Sequence, residues 1–160
     1  MEDSAIKTTR IRRLKPQDVD QLLVIEKRCF RAHRFTRKNF TYHVEAPSSI
    51  SAVAEIGGLV IGYVAGIKYG GRQRKTARLH SMAVLPRWRK GGIGSLLLKH
   101  FEREAAKRGA RLATLEVRKT NRIAQALYRR RGYEVERVLP NYYAKGRDGL
   151  KMRKLLSPRS

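Results

Sequence analysis

Apolar side chains recur along this chain with two different spacings. Ile93, Leu97, Phe101 and Ala105 lie four residues apart, and Gly109 follows the last of them. A four-residue spacing places side chains on one face of a helix, and a glycine after the last turn ends the helix. The segment therefore predicts an amphipathic helix that packs one face against a core.

A strand-like alternation of apolar and polar side chains governs the middle of the chain from residue 50. Two glycine pairs, Gly57-Gly58 and Gly70-Gly71, divide this part into three short segments. Glycine pairs suit the tight turns that join neighbouring strands. The three segments are thus predicted to form an antiparallel meander.

Eleven elements are predicted in the order βααβββαβαββ, a mixed α/β fold with a central, mostly antiparallel sheet flanked by helices. The first helix begins at Pro16, whose fixed φ suits the first helical position, and Thr36 can cap the second. The predicted strands span residues 8–14, 50–56, 59–69, 76–85, 111–117, 133–139 and 149–156. The predicted helices begin at residues 16, 37, 93 and 121.

The length of 160 residues favours a single domain with one principal site. No internal repeat and no long linker divides the chain. Residues 1–7 and 157–160 are expected to be flexible ends.

The cysteine content and the apolar segments indicate a cytoplasmic protein. Cys29 is the single cysteine, so no disulfide can form within the chain. The first residues include Glu2 and Asp3 and do not read as a secretory signal. The most apolar stretch, 57–67, is too short to span a bilayer, so no membrane anchor is expected.

Positive charge sets this composition apart. The 37 Lys and Arg residues exceed the 13 Asp and Glu residues, which gives a formal net charge of +24. A field of this size attracts polyanions such as RNA, acidic protein surfaces and phosphorylated cofactors. Association with the ribosome or RNA through this basic surface is one interpretation, and a general basic bias of the source proteome is the other.

A glycine-rich segment lies where a strand is predicted to end and the amphipathic helix to begin. Free amides and a partial positive charge at a helix start bind phosphate, and glycines let the phosphate approach the main chain. The segment lacks the Gly-Lys-Ser/Thr ending of an ATP-binding loop and the spacing of a dinucleotide fingerprint. The residues alone leave two alternatives open, a pyrophosphate site and a glycine-rich helix start with solvated basic residues. The candidate residues are Arg89, Lys90, Gly91, Gly92, Ile93 and Gly94.

Four sequence blocks carry a family resemblance. They are Leu79-His80-Ser81-Met82-Ala83-Val84-Leu85-Pro86, Arg89-x-x-Gly92-x-Gly94, Leu115-Glu116-Val117-Arg118, and Asn121-x-x-Ala124-x-x-Leu127-Tyr128-x-x-x-Gly132-Tyr133. In this order and spacing the blocks resemble the GNAT acetyltransferases, and most closely the ribosomal-protein-alanine N-acetyltransferase (RimI-like) group and related N-terminal acetyltransferases. The resemblance covers residues 8 to 156 and implies the GNAT fold, with acetyl-CoA as co-substrate.

The resemblance implies where acetyl-CoA binds and which residues act. The pyrophosphate would lie on the 89–94 loop, and Asn121 would contact the cofactor further along. Glu116 takes the position of the general base and Tyr128 that of the general acid. The residues themselves leave two alternatives open, a structural ion pair of Glu116 with an arginine such as Arg118, and a plain core role for Tyr128. The implied pantetheine contacts are the backbones of Met82, Ala83 and Val84.

The acceptor site is less completely matched. Tyr142 and Tyr143 correspond to tyrosines that hold a peptide backbone in the group, although two packing aromatics in a surface turn are the alternative. The Phe30 to Thr36 block lacks the proline that N-terminal acetyltransferases commonly carry, and its arginines, Arg34 among them, could meet an acidic group. His80 could assist proton transfer or simply pack in its strand. No metal site is expected, because metal-ligand spacing is absent from the sequence.

A protein or peptide N-terminus is the favoured acceptor. An α-amine, with a pKa of about 8, loses its proton near neutral pH far more readily than lysine, with a pKa of about 10.4. Transfer to a lysine or small amine is the second hypothesis, and a nucleic-acid-binding protein that only retains the fold is the third. The sequence is compatible with a monomer or a homodimer.

Overall fold

The computed structural model describes residues 6, 8–69 and 75–157. Its elements follow the predicted order βααβββαβαββ. The strands are β1 (Arg10–Arg13), β2 (Ser49–Ile56), β3 (Leu59–Lys68), β4 (Thr76–Val84), β5 (Leu112–Arg118), β6 (Glu134–Ala144) and β7 (Arg147–Leu155). The helices are α1 (Val19–Cys29), α2 (Arg37–Glu45), α3 (Ile93–Lys107) and α4 (Arg122–Arg130), and short 3-10 turns precede α1 and α3 at Pro16–Asp18 and Pro86–Trp88.

Element boundaries differ from prediction mainly at the two ends of the chain. β1 is four residues long, and the turn of helix that starts at Pro16 is a 3-10 turn before α1 begins. β6 runs to Ala144, past the predicted end at residue 139, because it forms a long hairpin with β7. The predicted Gly70-Gly71 turn and most of the two predicted flexible ends lie outside the described residues.

Seven strands form one sheet in the order β1-β2-β3-β4-β5-β7-β6. Every neighbouring pair is antiparallel except β4 and β5. The mostly antiparallel mixed sheet flanked by helices is thus confirmed, together with the β2-β3-β4 meander.

Apolar residues fill one face of the sheet and the β2–β4 part of the other face. Adjacent positions of a strand point to opposite faces, and Ala52 belongs to one apolar cluster while Val53 belongs to the other. Helix α3 covers the first face with Phe101, which is fully buried. Helices α1 and α2 cover the second face. The sheet is therefore packed between helices on its two faces.

Thr36 caps α2 as predicted. Its hydroxyl accepts a hydrogen bond from the Asn39 amide, and the Asn39 side chain accepts one from the Thr36 amide. This reciprocal pair satisfies two donors at the start of the helix. Within residues 6, 8–69 and 75–157, the structure contains no helix with the length and apolar character needed to cross a bilayer.

Candidate active site

Strands β4 and β5 lie side by side for only part of their length. They pair in parallel over four residue pairs, which end at Leu79 and Leu115. β4 continues to Val84 and β5 to Arg118, but within the described residues no further pairing joins them. The sheet therefore opens between the last residues of these two strands. An opening of this kind at the carboxyl ends of parallel strands is a common ligand site in α/β proteins.

One extra residue in β4 marks the start of the opening. Pairing with β3 steps from Ser81 directly to Leu79, so His80 is the extra residue of a bulge. A bulge bends its strand and increases the local twist, which turns the following residues away from β5. Their backbones pair with β3 on one edge, and across the described residues the other edge has no strand partner. These residues are the three predicted pantetheine contacts, Met82, Ala83 and Val84.

The loop before α3 has the features of an anion site. Its backbone enters the left-handed region at Lys90, with φ 68°, and at Gly92, with φ 85°. Gly92 immediately precedes α3, and no side chain among the described residues caps that end of the helix. The first helical amides are therefore free donors with a partial positive charge. The Arg89 Nε donates to the Val84 carbonyl at 2.9 Å, which holds the guanidinium next to the cleft.

Asn121 caps the start of α4. Its side-chain oxygen accepts a hydrogen bond from the Ala124 amide at 3.1 Å and so caps the helix. Gln125 then donates to the carbonyls of Arg118 and Lys119 at 3.0 and 2.9 Å. These contacts hold α4 against the end of β5. The predicted cofactor contact of Asn121 stays a prediction, since its side-chain oxygen already serves the helix.

Glu116 is the first residue of β5 beyond its pairing with β4. The Arg78 Nε donates to its Oε2 at 3.0 Å, and the Glu116 side chain is 15% exposed. The alternative of an ion pair between Glu116 and an arginine is thus confirmed, although the partner is Arg78 and not the Arg118 given as an example. Arg78 lies on β4, directly opposite Thr114, so it reaches Glu116 across the sheet. The carboxylate therefore lies at the mouth of the cleft with one oxygen held by a cation.

Tyr128 lies deep in α4, with 7% of its surface exposed. Burial raises the pKa of its hydroxyl to about 12, with a smaller contribution from Tyr143. Its ring contacts the edge of the Tyr133 ring at a centroid distance of 5.9 Å. Tyr128 is thus both a packed residue and a phenol that keeps its proton at neutral pH.

Tyr142 and Tyr143 lie where β6 leaves its regular pairing with β7. Register shifts between Leu139 and Ala144, and Asn141 has φ 54°. The side chain of Arg78 donates to the Tyr142 hydroxyl at 3.2 Å. The same arginine therefore contacts Glu116 and one tyrosine of the predicted acceptor site.

Gly149 makes room for both tyrosine rings. A Cβ atom at this position would lie 3.0 Å from Tyr143 Cε2 and 3.2 Å from Tyr142 Cδ1. Gly149 pairs with Arg118 of β5, and the Arg118 guanidinium lies 4.5 Å from the Tyr143 ring centroid. The absence of a side chain at one position therefore lets the tyrosines pack against the sheet beside Glu116.

The α1–α2 loop forms the opposite wall. His33 contacts Tyr143 at a ring-centroid distance of 6.1 Å, so the loop and the β6–β7 hairpin meet. The Arg34 Nε donates to the Phe30 carbonyl at 2.6 Å, and Arg34 is exposed while Phe30 is half-buried. The two predicted substrate residues of this loop therefore lie together at the rim.

A buried polar network beneath this loop was not predicted from the sequence. Glu26 is 1% exposed and accepts hydrogen bonds from the Tyr63 hydroxyl and, at 2.8 Å, from the Phe35 amide. The Tyr63 hydroxyl also lies 2.6 Å from the Ser81 hydroxyl. Burial raises the pKa of Glu26. The sequence did contain an indication of this network, because the charged residue Glu26 interrupts the apolar stripe of α1 between Ile25 and the loop.

His80 packs against a second histidine. Its ring lies 5.5 Å from the His43 ring. Desolvation, followed by the charge of Arg78, lowers the pKa of His80 to about 4, although part of its surface is accessible. The imidazole is therefore neutral at physiological pH.

The mostly antiparallel sheet with its flanking helices matches the fold of the GNAT acetyltransferases. The Acetyltransferase (GNAT) family model matches residues 19–133, and the chain belongs to this family of acetyltransferases.

Similar proteins include named N-terminal acetyltransferases. The chain is 32% identical to an N-alpha-acetyltransferase of Sulfurisphaera tokodaii over 91% of this chain and 92% of that protein. The structure is similar to the crystal structure of the ribosomal-protein-S18-alanine N-acetyltransferase from Escherichia coli, with a TM-score of 0.82, 26% identity, and coverage of 93% and 94% of the two chains. It is also similar to Chaetomium thermophilum Naa20 in complex with a bisubstrate analogue, with a TM-score of 0.79, 28% identity, and coverage of 92% and 86%.

Proposed function

We propose that this protein transfers the acetyl group of acetyl-CoA to the α-amine of a peptide or protein N-terminus. The observation that carries the proposal is the position of Glu116, at the mouth of the β4–β5 cleft and joined to Tyr142 through Arg78. The names of the Sulfurisphaera and Escherichia relatives support the choice of acceptor.

Acetyl-CoA fits the cleft by the chemistry of its lining. The free amides at the start of α3 and the nearby Arg89 suit its pyrophosphate. The unpaired edge of 82–84 suits the amide groups of its pantetheine arm. When bound, its thioester supplies the activated acetyl group. Residues Arg89, Lys90, Gly91, Gly92, Ile93, Gly94 and Asn121 would hold it.

Glu116 serves as the general base in this proposal. An N-terminal amine must lose a proton before it can react, and a carboxylate within hydrogen-bond reach, directly or through one water, can accept that proton. The bond from Arg78 keeps one carboxylate oxygen fixed, which leaves the other free to face the acceptor.

Tyr128 serves as the general acid. Its pKa of about 12 keeps the hydroxyl protonated throughout the physiological range, so it can donate a proton or a hydrogen bond to the leaving sulfur. Burial in α4 fixes its orientation.

The acceptor is held between the two walls of the rim. Tyr142 and Tyr143 lie on one side and Phe30 and Arg34 on the other, and His80 lies on β4. His80 is neutral at pH 7, so it can accept a hydrogen bond or proton without adding charge.

The basic surface is proposed to assist association with the ribosome or RNA. The formal net charge of +24 supports an electrostatic, salt-sensitive interaction. RNA binding that stays constant between about 50 and 200 mM salt contradicts this part of the proposal.

Three peptides of one sequence test the acceptor. One has a free N-terminus and no lysine, the second is capped at the α-amine, and the third is capped but contains one lysine. CoA release with the first peptide alone is expected. Release with the third peptide only would assign the enzyme to lysine acceptors, and release with none of them, but with small amines, would reject a peptide acceptor altogether.

Two tyrosine variants test the role of Tyr128 as general acid in the same assay. Tyr128→Phe is expected to lower kcat by roughly 100-fold, the size typical of lost acid–base catalysis, with little change in acetyl-CoA affinity. The control is Tyr42→Phe, because Tyr42 is an exposed tyrosine of α2. Equal rates in the two variants would remove Tyr128 from the mechanism.

A further inference from the structure

Positive charge dominates the sheet face that carries Glu116. Directly paired residues of neighbouring strands point to the same face, and Lys151 pairs with Glu116 while Arg153 pairs with Thr114. The carboxylates near them already have cationic partners. Arg78 forms an ion pair with Glu116, and Lys151 lies 3.4 Å from Glu136. An acceptor that enters this face therefore meets more cationic than anionic groups.

Arg118 is the cation that lies over the ring of Tyr143, one of the predicted acceptor tyrosines. It follows Glu116 by two residues, so both side chains leave β5 on the same face. The Arg118 guanidinium lies 4.5 Å from the Tyr143 ring centroid. In the part of the chain that the structure describes, it makes no ion pair with a carboxylate and its side chain donates no hydrogen bond. It is half-buried, so water screens it only partly.

The Tyr143 ring orients Arg118 without using its donors. A guanidinium that stacks on an aromatic ring keeps its N–H groups in its own plane, where they can form two parallel bonds to a carboxylate. The ring thus holds a cation in position for an anionic partner that the described residues do not provide.

Strand geometry sets the distance from the reacting amine. Two residues along a strand correspond to about 6.6 Å, so Arg118 lies about that far along β5 from Glu116. An extended peptide also advances by about 3.3 Å per residue. A carboxylate on one of the first three residues of an acceptor can therefore reach Arg118 while the α-amine is near Glu116.

We propose that this protein prefers N-termini with an acidic side chain within the first three residues, and that Arg118 binds this carboxylate. The inference rests on the proposed transfer to an α-amine. It assigns Arg118 as a specificity-determining residue and acidic peptides as the acceptor class.

Peptide pairs that differ by one carboxylate provide the test. Each pair carries Asp or Asn at position 1, 2 or 3, and kcat/KM is measured with saturating acetyl-CoA. The native protein is expected to favour the acidic member at one or more positions by about tenfold or more, the size expected of one charge-assisted pair. Arg118→Gln is expected to bring the ratio to about one, and Arg118→Lys to restore part of it.

Arg153→Gln is the matched control. Arg153 projects from the same face but lies opposite Thr114, further from the tyrosines. It is expected to leave the ratio unchanged. An equal fall of the Asp-to-Asn ratio in both variants would indicate a general effect of positive charge and not a specific carboxylate site. That result would overturn the assignment of Arg118.

The remaining outcomes separate the two proposals. Measurable turnover with ratios near one at all three positions overturns the acidic preference and leaves the proposed function intact. Absence of turnover on every peptide rejects the proposed function, and the acidic preference with it. Because the ratio compares two peptides on one variant, a general loss of rate does not affect it. If a variant loses all turnover, the binding ratio of the N-acetylated pair, measured by fluorescence anisotropy, decides in the same way.

Discussion

Arg78 and Glu116 form an ion pair whose Nε and Oε2 atoms lie 3.0 Å apart, and Glu116 lies one residue beyond the last β5 residue that pairs with β4. Arg78 also donates to the Tyr142 hydroxyl. One side chain of β4 therefore connects the carboxylate of β5 with the tyrosines of the β6–β7 hairpin, and the geometry of the candidate site depends on it.

Arg78→Met tests this connection. Loss of the guanidinium frees both Glu116 and Tyr142, so kcat/KM for a peptide acceptor is expected to fall by about tenfold or more. Acetyl-CoA affinity is expected to stay near the native value. The control is Arg37→Met, which removes an exposed ion pair with Asp20 and is expected to change stability by less than about 1 kcal/mol. Native kinetics in Arg78→Met would contradict the positioning role.

Gly149→Val tests the packing of the tyrosine pair. The added side chain would meet both rings, since even a Cβ atom would lie 3.0 to 3.2 Å from them. The KM for peptide is expected to rise several-fold and the KM for acetyl-CoA to stay unchanged, at a stability cost of about 1–3 kcal/mol. Gly146→Asn is the control at the tip of the same hairpin, where the space is open and asparagine tolerates the φ of 73°. A raised peptide KM in the control, or a native one in Gly149→Val, counts against the assignment.

Gly92→Val tests the anion loop. The φ of 85° is unfavourable for a β-branched residue such as valine, by about 1–2 kcal/mol, so the loop is expected to change shape. Acetyl-CoA at about 100 times its Kd should stabilise the native protein by about 2.7 kcal/mol, and this thermal shift is expected to be lost in the variant. Gly58→Val carries a similar strain, at φ 82° in the β2–β3 turn, and is expected to retain the shift. A shift that survives in Gly92→Val would place the phosphates elsewhere.

Glu26→Gln tests the buried network through the pH dependence of stability. Burial raises the pKa of Glu26 in the folded state, so the folded protein binds this proton more tightly than the unfolded chain. The stability contributed by that proton is present below the unfolded pKa of about 4.3 and is lost as pH rises through the folded pKa. Glutamine does not titrate. The stability of the variant relative to that of the native protein is therefore expected to increase as pH rises.

Urea unfolding of both proteins at pH 4, 5.5 and 7 measures this difference. Glutamine also offers one acceptor oxygen where Glu26 offers two, to the Phe35 amide and the Tyr63 hydroxyl, which lowers stability at every pH by about 1 kcal/mol or more. The change with pH is therefore the decisive observable. A constant difference between the two proteins would mean that Glu26 does not titrate over this range.

Much of the fold could be predicted from the sequence, because the two periodicities are local properties. Ile93 to Ala105 reveal α3 by their spacing alone, and Thr36 reveals the start of α2. Ends of strands were less predictable: β6 extends to Ala144 because β7 offers a partner, and this depends on tertiary contacts.

The candidate site was predictable where its residues follow one another in sequence. Glu116 and the 89–94 loop could be recognised from short motifs. Their partners could not: Arg78 is 38 residues from Glu116 and meets it only through the parallel register of β4 and β5. Gly149 was missed because its role is to provide space. The single-domain organisation, the cytoplasmic location and the oligomeric state stay predictions.

The most direct measurement of the central claim compares native protein and Glu116→Gln in one CoA-release assay with a free N-terminal peptide, beside acetyl-CoA binding by calorimetry. Glutamine keeps the size of the side chain but cannot accept the proton of the amine. The expected result is a loss of kcat of roughly 100-fold or more with nearly native acetyl-CoA affinity, while Glu104→Gln, on the exposed ion pair of α3, retains full activity. Near-native turnover by Glu116→Gln would contradict the account.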